Sequence, residues 1–217
     1  MADYIRARSP EHKQERMEQI MAVTDALFVE LPYSDITLSL IGKELGWSRA
    51  NLYKYVSTKE EIFLNLHAAK NRAYLEDLAA ALKDESMDDD VFARTWAEVT
   101  DAHASFQKYQ SILVTVIEAN VDLETLTQFK RGFARMGGPV HAILQRRTKT
   151  GEAQAHDLYL RLLYQATGLY NHFNCADLTR EAMRLAGLPP VTGSFVDEYA
   201  EFVMMCLVDA RGKGRRS

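Results

Sequence analysis

One stretch, residues 36–66, constrains the fold more than any other part of the chain. Its apolar residues and turn signals fit two short helices joined by a tight turn, followed by the start of a long helix. Thr37 and Ser48 stand at predicted N-cap positions, where a side-chain hydroxyl accepts an otherwise unpaired backbone N–H. Gly46 lies between them and suits the left-handed residue that ends a helix. The stretch therefore predicts a helix-turn-helix whose second helix is polar and basic on its outer side.

The long helix opens on a capping box formed by Thr58 and Glu61. We expect it to run from Lys59 to about Leu82. Apolar residues recur along it at helical spacing, and they predict an inner face of Ile62, Leu66, Ala69 and Ala73. This helix would connect the helix-turn-helix to the rest of the chain as one rigid body.

A long motif in this stretch has mixed residue types at fixed spacing. Beginning at Thr37, it runs T-x-x-x-I-G-x-x-x-G-x-S-x-x-x-L-Y-x-Y-V-x-T-K-E-x-I-F and resembles the DNA-binding domain of TetR-family transcriptional regulators. The resemblance extends over about residues 10–70. It implies that Ser48 caps the recognition helix and that Tyr53 touches a DNA phosphate. It also implies that Lys59 opens the linking helix and meets the DNA backbone.

Two positions depart from the family pattern. Leu31-Pro32-Tyr33 stands where the family usually has a glycine-containing turn. Trp47 replaces a residue that is usually a smaller aliphatic one.

The recognition helix carries the main functional prediction. Its outer surface is predicted to present Arg49, Asn51, Lys54 and Tyr55, with Tyr53 at its edge. Arginine can pair with guanine and asparagine with adenine in the major groove. By the resemblance, phosphate contacts fall to Thr37, Tyr53, Lys54 and Lys59. The candidate DNA-binding residues are therefore Thr37, Ser48, Arg49, Asn51, Tyr53, Lys54, Tyr55 and Lys59. In the alternative interpretation, the two tyrosines only pack the small three-helix core.

Composition limits the remaining classes. The chain has 217 residues and a net charge of −4, which argues against a protein that coats nucleic acid by bulk electrostatics. Residues 1–72 hold ten basic and ten acidic residues, whereas the remainder holds 16 and 20. Five prolines, eleven glycines and the absence of hairpin signals favour an all-α fold.

Other compositional signals concern cysteine chemistry and location. Two cysteines, Cys175 and Cys206, are too few for a disulfide framework or a cysteine-rich zinc site, and we interpret them as packing residues. No cofactor or metal is expected. The sequence shows no apolar signal segment and no stretch of about 20 apolar residues, so we expect a cytoplasmic protein without membrane contact.

Beyond the linking helix the pattern predicts further helices, and the resemblance implies that they form a C-terminal domain for ligand binding and dimerisation. Helices are expected over residues 91–109, 111–121, 122–136, 140–147, 152–174, 178–186 and 195–209, with a break at 137–139. The predicted organisation is an N-terminal arm and three-helix DNA-binding domain (1–58), a linking helix (59–82), the effector and dimerisation domain (83–210) and a disordered basic tail (211–217). Either the arm or the tail could touch DNA, or both could be solvated.

One recognition helix contacts only a few base pairs, so specificity requires a second copy one helical turn away. The helices at 152–174 and 195–209 carry more apolar residues than one buried stripe requires. With the resemblance, this predicts a homodimer joined by a four-helix bundle. Alternatively, these helices only complete the core of one chain.

The middle helices are expected to enclose a pocket for a small, largely apolar effector. Its predicted wall residues are Trp96, His103, Phe106, Tyr109, Ile117, Phe133, His141, Tyr164, Tyr170 and Phe173. The alternative is that these side chains form ordinary core. The break at 137–139 is interpreted as an opening to this pocket.

The sequence therefore predicts a DNA-binding transcriptional regulator, and the resemblance implies a repressor released from a near-palindromic operator by its effector. One alternative is a helix-turn-helix protein that acts through protein partners without an effector. A helical-bundle enzyme is the weakest alternative, because the sequence has no HExxH, G-x-S-x-G or phosphate-loop pattern. Whether His103 and His141 meet in space stays open at this level.

Overall fold

A computed structural model describes residues 10–214, which fold into eleven α-helices without a β-strand. The helices are α1 (Pro10–Glu30), α2 (Leu38–Glu44), α3 (Arg49–Leu52), α4 (Lys59–Ala81), α5 (Asp89–Ala102), α6 (Ala104–Ile112), α7 (Leu123–Met136), α8 (Gly138–Thr148), α9 (Glu152–Phe173), α10 (Asp177–Leu185) and α11 (Phe195–Gly214). The all-α prediction is confirmed. Within the described range, no helix combines the length and apolar character that a membrane crossing needs. The predicted N-terminal arm falls on residues 1–9, which lie outside the described residues.

Two hydrophobic cores share α4. The N-terminal core packs α1, α2, α3 and the first half of α4 against the end of α6. At its centre the ring of Phe63 meets Phe28 at 5.0 Å, Tyr33 at 5.0 Å and Tyr109 at 5.6 Å between centroids. The C-terminal core packs the second half of α4 against α5, α8, α9 and α11. Because α4 belongs to both cores, a displacement of this helix would alter the packing of both.

The inner face of α4 differs from the predicted one in its second half. Ile62 and Leu66 are buried as expected, but Ala69 and Ala73 are exposed. The buried positions are instead His67, Asn71, Tyr74, Leu75 and Leu78. The apolar pattern alone missed this face because two of its members are polar.

The region after α5 also departs from the prediction. A single helix over 91–109 is wrong, because the helix breaks at His103, where the backbone takes φ −99° and ψ 33°. The His103 ring bonds to Asp77 of α4 at 2.9 Å, and α6 begins at the next residue, Ala104. Residues 111–121 do not form one buried helix either. They comprise the end of α6, a π-helical turn (Leu113–Ile117) and a 3-10 turn (Glu118–Asn120), in which Val114 is 61% exposed.

Other boundaries are confirmed. Asp122 caps α7 by accepting the Thr125 N–H at 2.9 Å. The predicted helix break falls at Gly137, between α7 and α8. The predicted disordered tail is wrong for its first residues, because α11 continues to Gly214. Its Arg211 guanidinium is held by the Asp89 carboxylate, one Nη lying 2.8 Å from an oxygen.

Candidate DNA-binding surface and buried polar cluster

The predicted recognition helix α3 is a single turn set firmly on the N-terminal core. Leu52 is fully buried and anchors it. Ser48 accepts the Asn51 N–H at 3.3 Å, as a cap should, and Gly46 takes the left-handed conformation with φ 66°. Arg49 and Lys54 are exposed and Asn51 is half-buried. The turn therefore offers cationic and amide groups to solvent from a fixed backbone.

Two aromatic residues on this turn behave differently. Tyr53 is 44% exposed, and its hydroxyl accepts a hydrogen bond from Arg49 at 3.1 Å, with the guanidinium 5.4 Å from the ring centre. Tyr55 is half-buried, with its ring 5.8 Å from that of Trp47. Trp47 in turn lies under the Arg16 guanidinium at 5.0 Å. Tyr53 thus belongs to the exposed surface. Tyr55 is instead packed with one side of its ring against the core.

Thr37 and Lys59 lie beside this surface. Thr37 caps α2 by accepting the Leu40 N–H at 3.1 Å, and its side chain is exposed. Lys59 is the first residue of α4, as the resemblance implied. Its ammonium donates to the carbonyls of Tyr33 and Ile36, at 2.8 Å each, and lies 3.8 Å from the centre of the Tyr33 ring. Burial lowers the pKa of Lys59.

The unusual Pro32-Tyr33 turn explains this position of Lys59. The chain forms a 3-10 turn over Tyr33–Asp35, and the ammonium binds the carbonyl of its first residue, Tyr33, and that of the following residue, Ile36. The Tyr33 hydroxyl donates to the Glu60 carboxylate, and burial together with this carboxylate raises the Tyr33 pKa. The first two residues of α4 therefore hold the turn that precedes the helix-turn-helix.

A second set of contacts joins α1 to the helices that follow. The Asp25 carboxylate accepts from the Lys70 ammonium of α4 and the Tyr109 hydroxyl of α6, both at 2.8 Å. The neighbouring Lys108 donates to the Phe28 carbonyl near the end of α1. Burial raises the pKa of Tyr109 and lowers that of Lys108. These hydrogen bonds join α6 directly to α1.

Deeper in the molecule, α4 and α6 enclose a cluster of polar side chains, which we call the buried polar cluster. Its members are His67, Asn71, Gln107, Gln110 and Thr167. His67 Nε2 lies 2.7 Å from Gln110 Oε1, and the Thr167 hydroxyl donates to Gln107 Oε1 at 2.9 Å. Burial lowers the pKa of His67 to about 4, so the ring is neutral near pH 7.

Comparison with known proteins settles the family. The family model described as "Bacterial regulatory proteins, tetR family" matches residues 20–66, and that described as "Tetracyclin repressor-like, C-terminal domain" matches residues 68–208. The chain belongs to the TetR family.

One solved structure supports the fold, and a second is similar at a lower TM-score. A protein described as a TetR-family transcriptional regulator from Mesorhizobium loti is 17% identical, with a TM-score of 0.56 over 91% of this chain and 96% of that one. AmtR from Mycobacterium smegmatis is 20% identical, with a TM-score of 0.49 over 93% of this chain and 89% of that one. None of the curated proteins searched matches the sequence.

The predicted effector residues of this TetR-family chain do not form one wall. Phe106 stacks on Tyr74 at 5.1 Å and lies 5.3 Å from the His67 ring, and Phe133 lies 6.1 Å from it. These two adjoin the buried polar cluster. Tyr109, with its ring 4.9 Å from Phe28, belongs to the N-terminal core.

The remaining predicted residues lie elsewhere. Trp96 is buried beside α11, where its indole N–H donates to the Tyr199 hydroxyl at 3.2 Å. His103 and His141 have different neighbours: the first bonds Asp77, and the second lies 5.1 Å from His156. Tyr164 is 60% exposed on α9. Tyr170 and Phe173 are half-buried, and Ile117 lies in the N-terminal core.

Sequence reasoning missed His67, Asn71, Gln107 and Gln110. The signal was present, because residues 67 and 71 are four apart on α4, and 107 and 110 are three apart on α6. Such spacings place polar side chains on one face of each helix. Three of these four side chains are fully buried, and Gln110 is only 8% exposed. A search restricted to aromatic residues could not find them.

Proposed function

We propose that this chain is a homodimeric regulator that binds a near-palindromic operator and releases it when a small molecule binds the C-terminal domain. The observation that carries the proposal is the position of α3, which the buried Leu52 anchors to the core. Arg49 on α3 and Lys54 in the turn that follows it are both exposed. A rigidly held cationic turn is what base recognition in a major groove requires. The sign of regulation, repression, rests on the family.

The exposed groups divide into two roles. Arg49 and Asn51 contact base edges, since their side chains can each make two hydrogen bonds to a purine. Thr37, Tyr53 and Lys54 bind phosphates and so fix the register of the helix. Ser48 and Tyr55 support the turn as a cap and as a packing residue. Lys59 acts through the turn that it holds.

A second copy of the chain supplies the second half-site. Tyr164 on α9 and Met205 and Val208 on α11 are each at least 60% exposed, although they are large apolar residues. Pairing these faces across a two-fold axis would cover them in a four-helix bundle. The recognition helices would then meet half-sites about 34 Å apart.

Communication between effector and DNA runs through α4 and α6. The helix α4 carries Lys59 at one end and His67 and Asn71 near its middle. The adjoining α6 bonds α1 through Lys108 and Tyr109. A ligand that prefers one setting of these helices changes the separation of the recognition helices, and a coupling of about 1–3 kcal/mol changes operator affinity roughly 5- to 150-fold.

Binding to DNA over a series of salt concentrations tests the proposal. The purified protein is titrated against the DNA upstream of its own gene and against random DNA of equal length. We expect tighter binding to the upstream DNA by a complex of two copies, as measured by sedimentation. Arg49→Ala should weaken specific binding about 10- to 150-fold and leave random binding nearly unchanged.

The exposed Arg72 on the outer side of α4 provides a matched control. Arg72→Ala removes the same charge away from α3 and should leave the specificity ratio unaltered. If Arg49→Ala and Arg72→Ala weaken binding to both DNAs equally, α3 does not contact base edges. Equal binding of the unmodified protein to both DNAs would leave only the electrostatic, sequence-independent component.

A further inference from the structure

The buried polar cluster has more hydrogen-bonding capacity than it uses. The unpartnered side-chain atoms are His67 Nδ1, both amide atoms of Asn71 and Gln107 Nε2, none of which has a hydrogen-bond partner within residues 10–214. All three side chains are fully buried. A buried polar group without a partner ordinarily costs about 1–3 kcal/mol, so natural proteins keep few of them. Here four such atoms lie on three neighbouring side chains.

The helix register explains why these atoms converge. His67 of α4 bonds Gln110 of α6, and Tyr74 stacks on Phe106, so the two helices run antiparallel. Asn71, one turn after His67, therefore falls opposite Gln107, one turn before Gln110. Asn71 Nδ2, Asn71 Oδ1 and Gln107 Nε2 have no hydrogen-bond partner, so the two amides do not bond each other through these atoms.

The unpartnered atoms define a complementary chemistry. Since Gln110 Oε1 can only accept, His67 Nε2 must donate to it, which makes Nδ1 an acceptor. Asn71 Oδ1 is a second acceptor, and Asn71 Nδ2 and Gln107 Nε2 are donors. The side chains of the cluster are uncharged amides, a hydroxyl and a neutral imidazole. The rings of Phe106, at 5.3 Å, and Phe129, at 5.5 Å, flank His67.

We infer that the effector is a flat, uncharged molecule bearing both hydrogen-bond donors and acceptors, bound between His67 and Asn71 of α4 and Gln107 of α6. A carboxamide or a lactam-like heterocycle has this character. The inference deepens the proposed function, on which its regulatory meaning rests. It replaces the expectation of a largely apolar effector, because an apolar molecule would leave all four atoms unpaired.

Access and response follow from the neighbouring helices. α7 covers the cluster with Phe129 and Phe133, and no residue of this fully described helix is buried. The loosely seated α7 is therefore the side from which a molecule enters. On α6, Gln107 and Gln110 bracket Lys108 and Tyr109, which bond α1. A ligand that binds the two glutamines therefore acts on the same turn of α6 that is hydrogen-bonded to α1 of the DNA-binding domain.

Thermal unfolding of the full chain with four probes tests the inference. Benzamide and uracil are flat and neutral with donors and acceptors, benzoate is a charged analogue of benzamide, and toluene is an apolar one. We expect benzamide or uracil to raise the Tm by about 3–5 °C at roughly ten times its dissociation constant. Benzoate and toluene should raise it much less.

Two variants locate the site. Asn71→Leu keeps the number and branching of the side-chain heavy atoms but removes two unpartnered polar atoms, so it should raise the Tm of the free protein and abolish the shift given by the active probe. Asn171→Leu makes the same replacement at an exposed position of α9 and should retain the shift. The active probe should also alter operator affinity of the unmodified chain at constant salt, by roughly 5- to 150-fold.

Several results would overturn the inference: no shift with either neutral probe, an equal shift with toluene, or a shift that survives Asn71→Leu. A lower Tm for unliganded Asn71→Leu would also do so, because it would show that the amide is paired in the free protein. Operator binding without probes is measured separately. Its loss refutes the proposed function while leaving the probe result intact. A probe that binds without changing operator affinity refutes only the effector role.

Discussion

The N-terminal core and the buried polar cluster differ in how their polar side chains are paired. In and around the N-terminal core the polar side chains are paired. The Thr24 hydroxyl donates to the Ile20 carbonyl at 2.8 Å, Asp25 binds two donors, and Lys59 binds two carbonyls. Among the described residues, every buried side-chain atom without a partner belongs to residue 67 or a later one.

This difference matches two different tasks. A helix that contacts base edges must hold its side chains in one register, and satisfied polar groups around an aromatic core favour a single arrangement. A site that responds to a ligand gains most when binding completes hydrogen bonds that the free protein leaves unmade. On the proposed function, the paired N-terminal part therefore suits fixed geometry, and the buried polar cluster suits a change on ligand binding.

The sharpest contrast is expected in packing. Phe63 is fully buried among the rings of Phe28, Tyr33 and Tyr109, so Phe63→Ala should lower the free energy of unfolding by about 3–5 kcal/mol. Phe129 on α7 is half-buried, and Phe129→Ala should cost about 1 kcal/mol or less. Urea unfolding followed by circular dichroism measures both. Equal losses would show that the two regions are packed alike.

Acid should lower the free energy of unfolding by up to about 3 kcal/mol through the buried His67. Because burial lowers the folded-state pKa of His67 from 6.5 to about 4, the unfolded chain binds its proton more readily between these values. The contribution of neutral His67 to stability is therefore fully present above about pH 6.5 and is lost as the pH falls towards 4.

The variant His67→Phe isolates this effect. Its free energy of unfolding should vary less with pH than that of the unmodified chain, and the difference should grow from pH 7 to pH 4.5. His172→Phe makes the same change at an exposed position of α9 and should keep the original pH dependence. A parallel pH profile for His67→Phe and the unmodified chain would mean that His67 accepts a proton in the folded state as easily as in the unfolded one.

Local features of the fold were predictable from the sequence because each depends on a few neighbouring residues. The caps at Thr37, Ser48 and Thr58 accept the backbone N–H groups three residues ahead, as expected. Gly46 takes the positive φ that the turn requires. A hydroxyl three residues before a free N–H, or a glycine after a helix, predicts the end of a helix without information on the rest of the chain.

Features that depend on distant partners were not predictable in this way. The inner face of α4 depends on α6, whose Gln110 is hydrogen-bonded to the His67 ring. The apolar stripe through Ala69 and Ala73 therefore predicted the wrong inner face, because both alanines are exposed. The break at His103 depends on Asp77. Polar residues of α4 can be buried because α6 supplies hydrogen-bond partners for them, and the sequence of α4 alone does not show those partners.

Replacing Lys59 tests whether its ammonium stabilises the fold or binds DNA, and the expected change is small. The family resemblance implies a DNA-backbone contact, whereas its ammonium bonds the Tyr33 and Ile36 carbonyls. Because the group is partly exposed, Lys59→Met should lower the free energy of unfolding by only about 1–2 kcal/mol. It should leave the salt dependence of operator binding nearly unchanged. Lys54→Met should do the reverse, with unchanged stability and a salt slope smaller by about one. If Lys59→Met lowers the slope by about one at unchanged stability, then Lys59 serves the DNA phosphate and the turn at Tyr33 is held by other contacts.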